Sequence, residues 1–152
     1  MQVERSDGFV LTDDKARLDL ARIRRWLADS YWAANRSPEA IERSIAHSAT
    51  YGVYAPSGEQ VALTRATTDY ATFAWLGDVV VDPEWRGRGI GKWLVAEVVA
   101  HLREQGVPRF VLATRDAHTV YEAAGFEPVR YPSFWMELDL RADRPTAAQA
   151  RN

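Results

Sequence analysis

No cysteine occurs among the 152 residues. That absence removes disulfides, thiolate ligation of zinc and a cysteine nucleophile together. Charge of one sign is missing too: 19 Lys and Arg stand against 21 Asp and Glu, a formal net charge of −2. A chain so balanced has no general basic surface for the phosphates of a nucleic acid, so any anion site must be local. Nor does any apolar run approach the roughly 18–20 residues of a membrane span, and the opening MQVERSDG is charged at once. Neither a membrane nor a nucleic acid is an expected partner, and a cytoplasmic location is the default expectation.

What is present is the composition of a globular protein, with 47% hydrophobic and 26% charged residues at a length typical of one domain. A single domain is expected over residues 1–140. The polar stretch from 141 to 152, RADRPTAAQARN, lacks apolar periodicity and is expected to be a disordered tail. GFVLTDD reads as a short strand running into a helix, with Thr12 or Asp13 as its N-cap and Leu18, Ile23, Trp26 and Leu27 on its apolar face. Ser37 followed by Pro38 marks the start of a second helix, and the aromatic loop YWAANR joins the two. TYGVYAP and QVALTRATT flank SGE as a hairpin, and ATFAWLGDVVVD continues as a third strand that Pro83 ends. Ile90, Leu94, Val98 and Leu102 recur every four residues, which predicts a helix over about 88–105 closed by Gly106. RFVLAT is a buried type of strand, Asp116 is the expected N-cap of a short helix ending at Gly125, and FEPVRY with FWMELDL make a closing pair of strands. The expected fold is α/β: a mixed, mostly antiparallel central sheet flanked by about four helices.

Within VVVDPEWRGRGIGKWLV, residues 79–95, three glycines and three cations gather around the start of the predicted long helix. Cations at a helix N-terminus face the positive end of its dipole, which disfavours each by about 0.3–1 kcal/mol, so Arg86, Arg88 and Lys92 imply an arriving anion. Glycine loops that open helices hold phosphates through converging backbone N–H groups. The mononucleotide loop G-x-x-x-x-G-K-[S/T] fails twice, with Arg86 at its first glycine and Trp93 at its hydroxyl. The dinucleotide fingerprint fails because Gly87, Gly89 and Gly91 are evenly spaced.

Arg86, Gly89 and Gly91, entered from Val81 and Pro83, fit [Q/R]-x-x-G-x-[G/A], and the stretch resembles the coenzyme A pyrophosphate loop of the GNAT superfamily of acyl-CoA N-acyltransferases. A second stretch, VYEAAGF at 120–126, is similar to that superfamily's L-Y-x-x-x-G-F. Thr114 stands seven residues before Tyr121, where members often carry asparagine. The resemblance implies the GNAT fold from about Gly8 to Leu140, acetyl-CoA as acyl donor, no metal, and an activity of N-acetyl transfer. The implied coenzyme-binding residues are Val79, Val80 and Val81 on the splayed strand, Arg86, Gly87, Arg88, Gly89, Ile90, Gly91 and Lys92 in the loop, and Thr114 and Tyr121 near the pantetheine arm. It also admits a homodimer.

The chemistry assigns further roles. A lysine-like amine with a pKa near 10.4 is neutral in only about one molecule per thousand at pH 7, so a base or a desolvating pocket is needed. Asp78 and Asp69 are the candidate bases, and His118 has a suitable titration range. A backbone N–H of the 79–81 strand is the implied donor to the oxyanion. Without cysteine, direct attack in a ternary complex is favoured over an acyl-enzyme. Tyr121 is the expected partner of the departing sulfur. Trp26, Tyr31, Trp32 and His118 are the candidate acceptor-binding residues, and acidic plus aromatic groups would suit a cationic small-molecule amine. Two other readings stay open: a catalytically silent coenzyme A-binding module, and acetylation of a protein lysine or N-terminus.

Overall fold

The computed structural model describes residues 1–141, so the expected tail beyond Arg141 lies outside the described residues. Six strands follow one another across a single sheet in sequence order: β1 (Gln2–Glu4), β2 (Val10–Thr12), β3 (Ala49–Tyr54), β4 (Gln60–Thr68), β5 (Ala74–Val81) and β6 (Phe110–Val111). All neighbours are antiparallel except β5 and β6, which are parallel and joined through the long helix α3 (Ile90–Glu104). Helices α1 (Leu20–Ala28) and α2 (Pro38–Ala46) lie between β2 and β3, and a short α4 (His118–Glu122) follows β6.

The four-residue recurrence of Ile90, Leu94, Val98 and Leu102 buries one stripe of α3 against Leu11, Val53, Val61, Ala62, Ala74 and Leu76 of the sheet. On the opposite face Ile23, Trp26 and Leu27 of α1 and Ile41 and Ile45 of α2 pack with Leu63 and Val80. The sheet is therefore covered on both sides. Its strand β5 changes side part-way: Leu76 faces the α3 core, but Val80 faces the α1–α2 core. Strict alternation would put both on one face, because they are four residues apart. The switch comes from a bulge. Arg65 pairs with Gly77 and Leu63 with Val80, so one residue of β4 faces two of β5. Asp78 takes up the extra residue in the left-handed region, at φ 52°.

Two helix starts differ from the expected ones. Thr12 ends β2 and Asp13 binds the N-terminal amine at 2.7 Å. Asp14 caps a 3₁₀ turn instead, and Asp19 caps α1 through the Arg22 N–H at 2.9 Å. Asp116 does not cap α4; the Thr114 hydroxyl accepts from Ala117 N at 3.1 Å and helix begins at His118. The closing pair of strands is absent among the described residues: after α4 there is only a 3₁₀ turn, Pro132–Phe134. Pro128 and Pro132 cannot donate to a ladder, and β6 offers two residues to pair with. Phe134, Met136, Leu138 and Leu140 alternate as in a strand but stay exposed. The sequence reading also missed β1, which forms a hairpin with β2 around Gly8 at φ 86°.

Candidate active site

At its first two residues β5 is tied to β6, Ala74 opposite Phe110 and Trp75 opposite Val111. That pairing stops short of the bulge, so β5 carries Val79, Val80 and Val81 past the end of β6. Val80 is buried in the α1–α2 core, while Val79 and Val81 are half-buried. The chain then runs through a 3₁₀ turn, Pro83–Trp85, and the glycine loop into α3.

Gly87 at φ 77° and Gly89 at φ 72° reverse the chain in the left-handed region. A Cβ on either would meet no atom within 4 Å, so torsion, not crowding, calls for glycine there. Gly89 is the N-cap of α3 and brings no side-chain cap, which leaves the first-turn N–H groups of Ile90, Gly91 and Lys92 to other acceptors. Gly91 is different. A Cβ there would stand 3.4 Å from Val81 and 3.9 Å from Val120, in ordinary contact with both, so Gly91 marks where β5, α3 and α4 come together. The Arg86 Nε donates to the Val81 carbonyl at 3.1 Å, and Arg88 lies over the Trp85 ring at 4.6 Å. Ile90 contributes its side chain to the core and only its backbone to the loop, whereas Lys92 is exposed. Arg5, which the sequence reading missed, reaches from the β1–β2 hairpin to donate to the Arg88 carbonyl at 3.3 Å and to cover the Phe9 and Trp93 rings. The loop so formed is a cationic rim around uncapped amides above open space. That set fits a diphosphate.

On α4, Tyr121 packs edge-on against Phe126 at 6.0 Å. Burial, with the Tyr31 phenol and the Asp116 carboxylate adding to it, pushes its pKa up to about 12. The phenol is a donor across the physiological range. Thr114 spends its hydroxyl on the start of α4. His118 is exposed at the first position of that helix.

The candidate bases fare differently. Asp69 sits in the β4–β5 turn, at the far end of β5 from Val81; the strand alone separates them by about 23 Å at ~3.3 Å per residue. Its carboxylate accepts from the Thr72 hydroxyl and from the backbone of Ala71, Thr72 and Phe73. The Thr72 contacts and then the Ala71 N–H hold its pKa well below the usual carboxylate range. It organises a turn and is not placed to take a proton at the loop end of β5. Asp78 is central but occupied. Arg36 Nη1 and Arg65 Nε both donate to its Oδ2 at 2.7 Å, and Trp32 Nε1 donates to Oδ1 at 3.1 Å. Burial alone would raise this carboxyl; Arg65 and Arg36 outweigh it and hold it below its ordinary value. A carboxylate so paired is a poor proton acceptor near neutrality.

The aromatic candidates also separate. Trp26 is a core residue, 7% exposed, whose Nε1 donates to Asp82 at 3.0 Å. Trp32 is half-buried and serves Asp78. Tyr31 is exposed on the α1–α2 loop; its hydroxyl accepts from Arg115 N at 3.1 Å, and the Arg115 guanidinium covers its ring at 4.0 Å. These contacts join the α1–α2 loop to the segment before α4. Arg36 and Arg65 went unnoticed in the sequence, although Arg65 inside an apolar strand and Asp78 before a valine run were each signs of a buried partner.

The description "Acetyltransferase (GNAT) family" belongs to the family model that matches residues 20–126. A crystal structure of a putative GNAT-family acetyltransferase from Xanthomonas campestris pv. campestris superposes with a TM-score of 0.81 at 43% identity, covering 88% of this chain and 94% of that one. GCN5-related N-acetyltransferase 2 of Arabidopsis thaliana, a chloroplastic protein, is 38% identical over 44% of this chain; the match spans 26% of its length. N-acetylglutamate synthase from Neisseria gonorrhoeae, solved with coenzyme A and N-acetyl-glutamate, shares the fold at a TM-score of 0.65 and 16% identity, over 78% of this chain and 28% of that one. Among the described residues no helix is long and apolar enough to cross a membrane.

Proposed function

Because the chain belongs to the GNAT family of acetyltransferases, we propose that it transfers the acetyl group of acetyl-CoA directly to a primary amine of a small molecule, in a ternary complex. The observation that carries this reading is the glycine loop. Uncapped amides of Ile90, Gly91 and Lys92, the positive φ of Gly87 and Gly89 and the guanidinium groups of Arg86 and Arg88 converge where β5 feeds α3. The coenzyme, when bound, supplies a thioester whose carbonyl carbon is open to a nucleophile.

The residues of the chain do the rest. The loop holds the diphosphate by charge and backbone donors. Beyond its pairing with β6, β5 offers a backbone N–H of the 79–81 segment that β4 does not use to the carbonyl oxygen as negative charge grows on it. The N–C bond forms while the C–S bond breaks, and the sulfur leaves as a thiolate that accepts a hydrogen bond from Tyr121. With the phenol pushed up to about 12 and a thiol near 8.5, full proton transfer is uphill by about 5 kcal/mol, so Tyr121 stabilises by hydrogen bonding. Asp69 and Asp78 are both committed elsewhere, so the amine proton leaves through water. Activity should therefore rise with pH toward the pKa of the acceptor amine.

Thiol release from acetyl-CoA across a panel of amines, amino acids and polyamines tests this reading. Amine-dependent release supports it. Coenzyme binding with no thiol release under any acceptor supports a silent binding module instead, and product on peptides alone supports a protein acceptor.

A further inference from the structure

The bulge of β5 gathers more positive than negative charge. Two guanidinium groups, Arg36 from the α1–α2 loop and Arg65 from β4, share the single carboxylate of Asp78, each 2.7 Å from the same oxygen. The three side chains differ in what they show to solvent: 26% of Arg36, 14% of Arg65 and 2% of Asp78. A ligand arriving at the bulge therefore meets guanidinium, and the carboxylate lies behind it. Arg65 is spent inward, its Nη1 donating to the Ser48 hydroxyl at 3.2 Å and the Ser44 carbonyl at 3.4 Å. Arg36 is the outward member.

The other charges on this side are engaged with partners of their own. Arg115 lies across the Tyr31 ring, 3.9 Å from an Asp116 as exposed as itself. Asp19, Glu59 and Asp82 gather on Arg22. Asp82 lies beyond Val81, four residues along from Asp78, or about 13 Å of extended chain. The carboxylate at the bulge, that of Asp78, is thus already shared by two guanidinium groups, which favours an acceptor carrying an anion over the cationic acceptor expected from the sequence. A guanidinium is a planar fork matched to carboxylate and phosphate oxygens.

We propose that Arg36 is a specificity-determining residue and that the acceptor is an amine bearing an oxyanion, a carboxylate or a phosphate, a few bonds from its nitrogen. The inference rests on the acetyl-transfer reading above. Asp78 is adjacent to Val79, so an oxyanion held by Arg36 keeps a nearby amine within reach of the strand that faces the thioester. Trp32, edge to face with Tyr31 at 5.0 Å, shares the Asp78 carboxylate with Arg36 and so belongs to the same cluster.

The test uses the full chain with acetyl-CoA and matched acceptors: tryptophan against tryptamine, leucine against 3-methylbutylamine, O-phosphoethanolamine against ethanolamine. The oxyanion-bearing member of at least one pair should be favoured at least tenfold in kcat/KM, and the first two pairs against the third separate carboxylate from phosphate. In Arg36→Gln, where Arg65 still pairs Asp78, the preference should collapse through KM for the anionic acceptor, while the decarboxylated or dephosphorylated partner changes less than threefold. The protein's melting temperature with and without acetyl-CoA reports that the variant is folded. Preference for the partners that lack the oxyanion or for spermidine, an unchanged preference in Arg36→Gln, or no acetylation of any member while acetyl-CoA still raises the melting temperature each overturns the inference. Loss of coenzyme-dependent stabilisation in the wild type overturns the acetyl-transfer reading itself.

Discussion

Replacing Asp78 by asparagine removes one charge and almost nothing else. Asparagine matches its shape and tolerates the left-handed torsion that the bulge imposes, so the backbone at φ 52° is not the perturbed quantity. What changes is that Arg36 and Arg65, each 2.7 Å from the carboxylate, lose their counter-charge. Removing one partner of a buried ion pair costs about 3–5 kcal/mol, and the partial exposure of the two arginines lets water reach the orphaned charges, which favours the lower end, about 3 kcal/mol. At a urea m value of about 2 kcal/mol/M the midpoint should fall by roughly 1.5 M, read by the fluorescence of six tryptophans. Asp78→Ala adds left-handed strain of about 1–2 kcal/mol and should lie lower still. The depressed carboxyl also sets the pH course. Its contribution is present above the unfolded value near 3.9 and is lost as pH falls through the lower folded value, so Asp78→Asn should flatten the acid limb. A stability within about 0.5 kcal/mol of wild type, with kcat alone reduced 10²-fold or more, would refute this reasoning and make Asp78 a general base.

Tyr121→Phe should lower kcat at least tenfold with acetyl-CoA affinity nearly unchanged, measured by steady-state kinetics and calorimetry; an unchanged kcat removes the sulfur-partner role. Gly89→Ala places a Cβ at φ 72° where space is open but torsion is not, so urea unfolding should show a loss of about 1–2 kcal/mol and coenzyme binding should weaken. At alkaline pH, burial raises Tyr54 and Tyr121 to about 12 and Tyr51 further still. The unfolded chain ionises its tyrosines from about pH 10, so stability is intact below pH 10 and should fall as pH rises from 10 toward 12, as followed by tyrosinate absorbance during unfolding.

How much of this was legible in the sequence depended on how local the cause was. The α3 helix was readable because Ile90, Leu94, Val98 and Leu102 repeat every four residues, and α2 because Ser37 and Pro38 mark its start within the segment itself. The glycine loop was readable for the same reason: its torsions belong to Gly87 and Gly89. The α1 boundary was not, since Thr12, Asp13, Asp14 and Asp19 are all competent caps and tertiary contacts chose between them. Asp78 shows the limit most clearly. Its place on β5 was expected, but its role follows from a bulge that sends its side chain toward Arg36, 42 residues earlier, and Arg65, 13 residues earlier. Asp69 and Trp26 have their polar groups engaged with partners of their own for a related reason. A polar or aromatic side chain advertises a need for partners, and those partners proved to be a local turn for Asp69 and Asp82 for Trp26. The missing terminal strands repeat the lesson: alternation in FWMELDL satisfies the period of a strand, but pairing needs an edge of adequate length.

The account depends on a diphosphate held by the amides and guanidinium groups at the start of α3. Calorimetric titration of the protein with coenzyme A, and in parallel with pantetheine, which has the thiol arm but no diphosphate, tests this most directly. Saturable one-to-one binding of coenzyme A, weakened by added salt, with at least a hundredfold weaker binding of pantetheine, is the predicted result. Equal affinity for the two, or no heat and no rise in melting temperature with saturating coenzyme A, would contradict it.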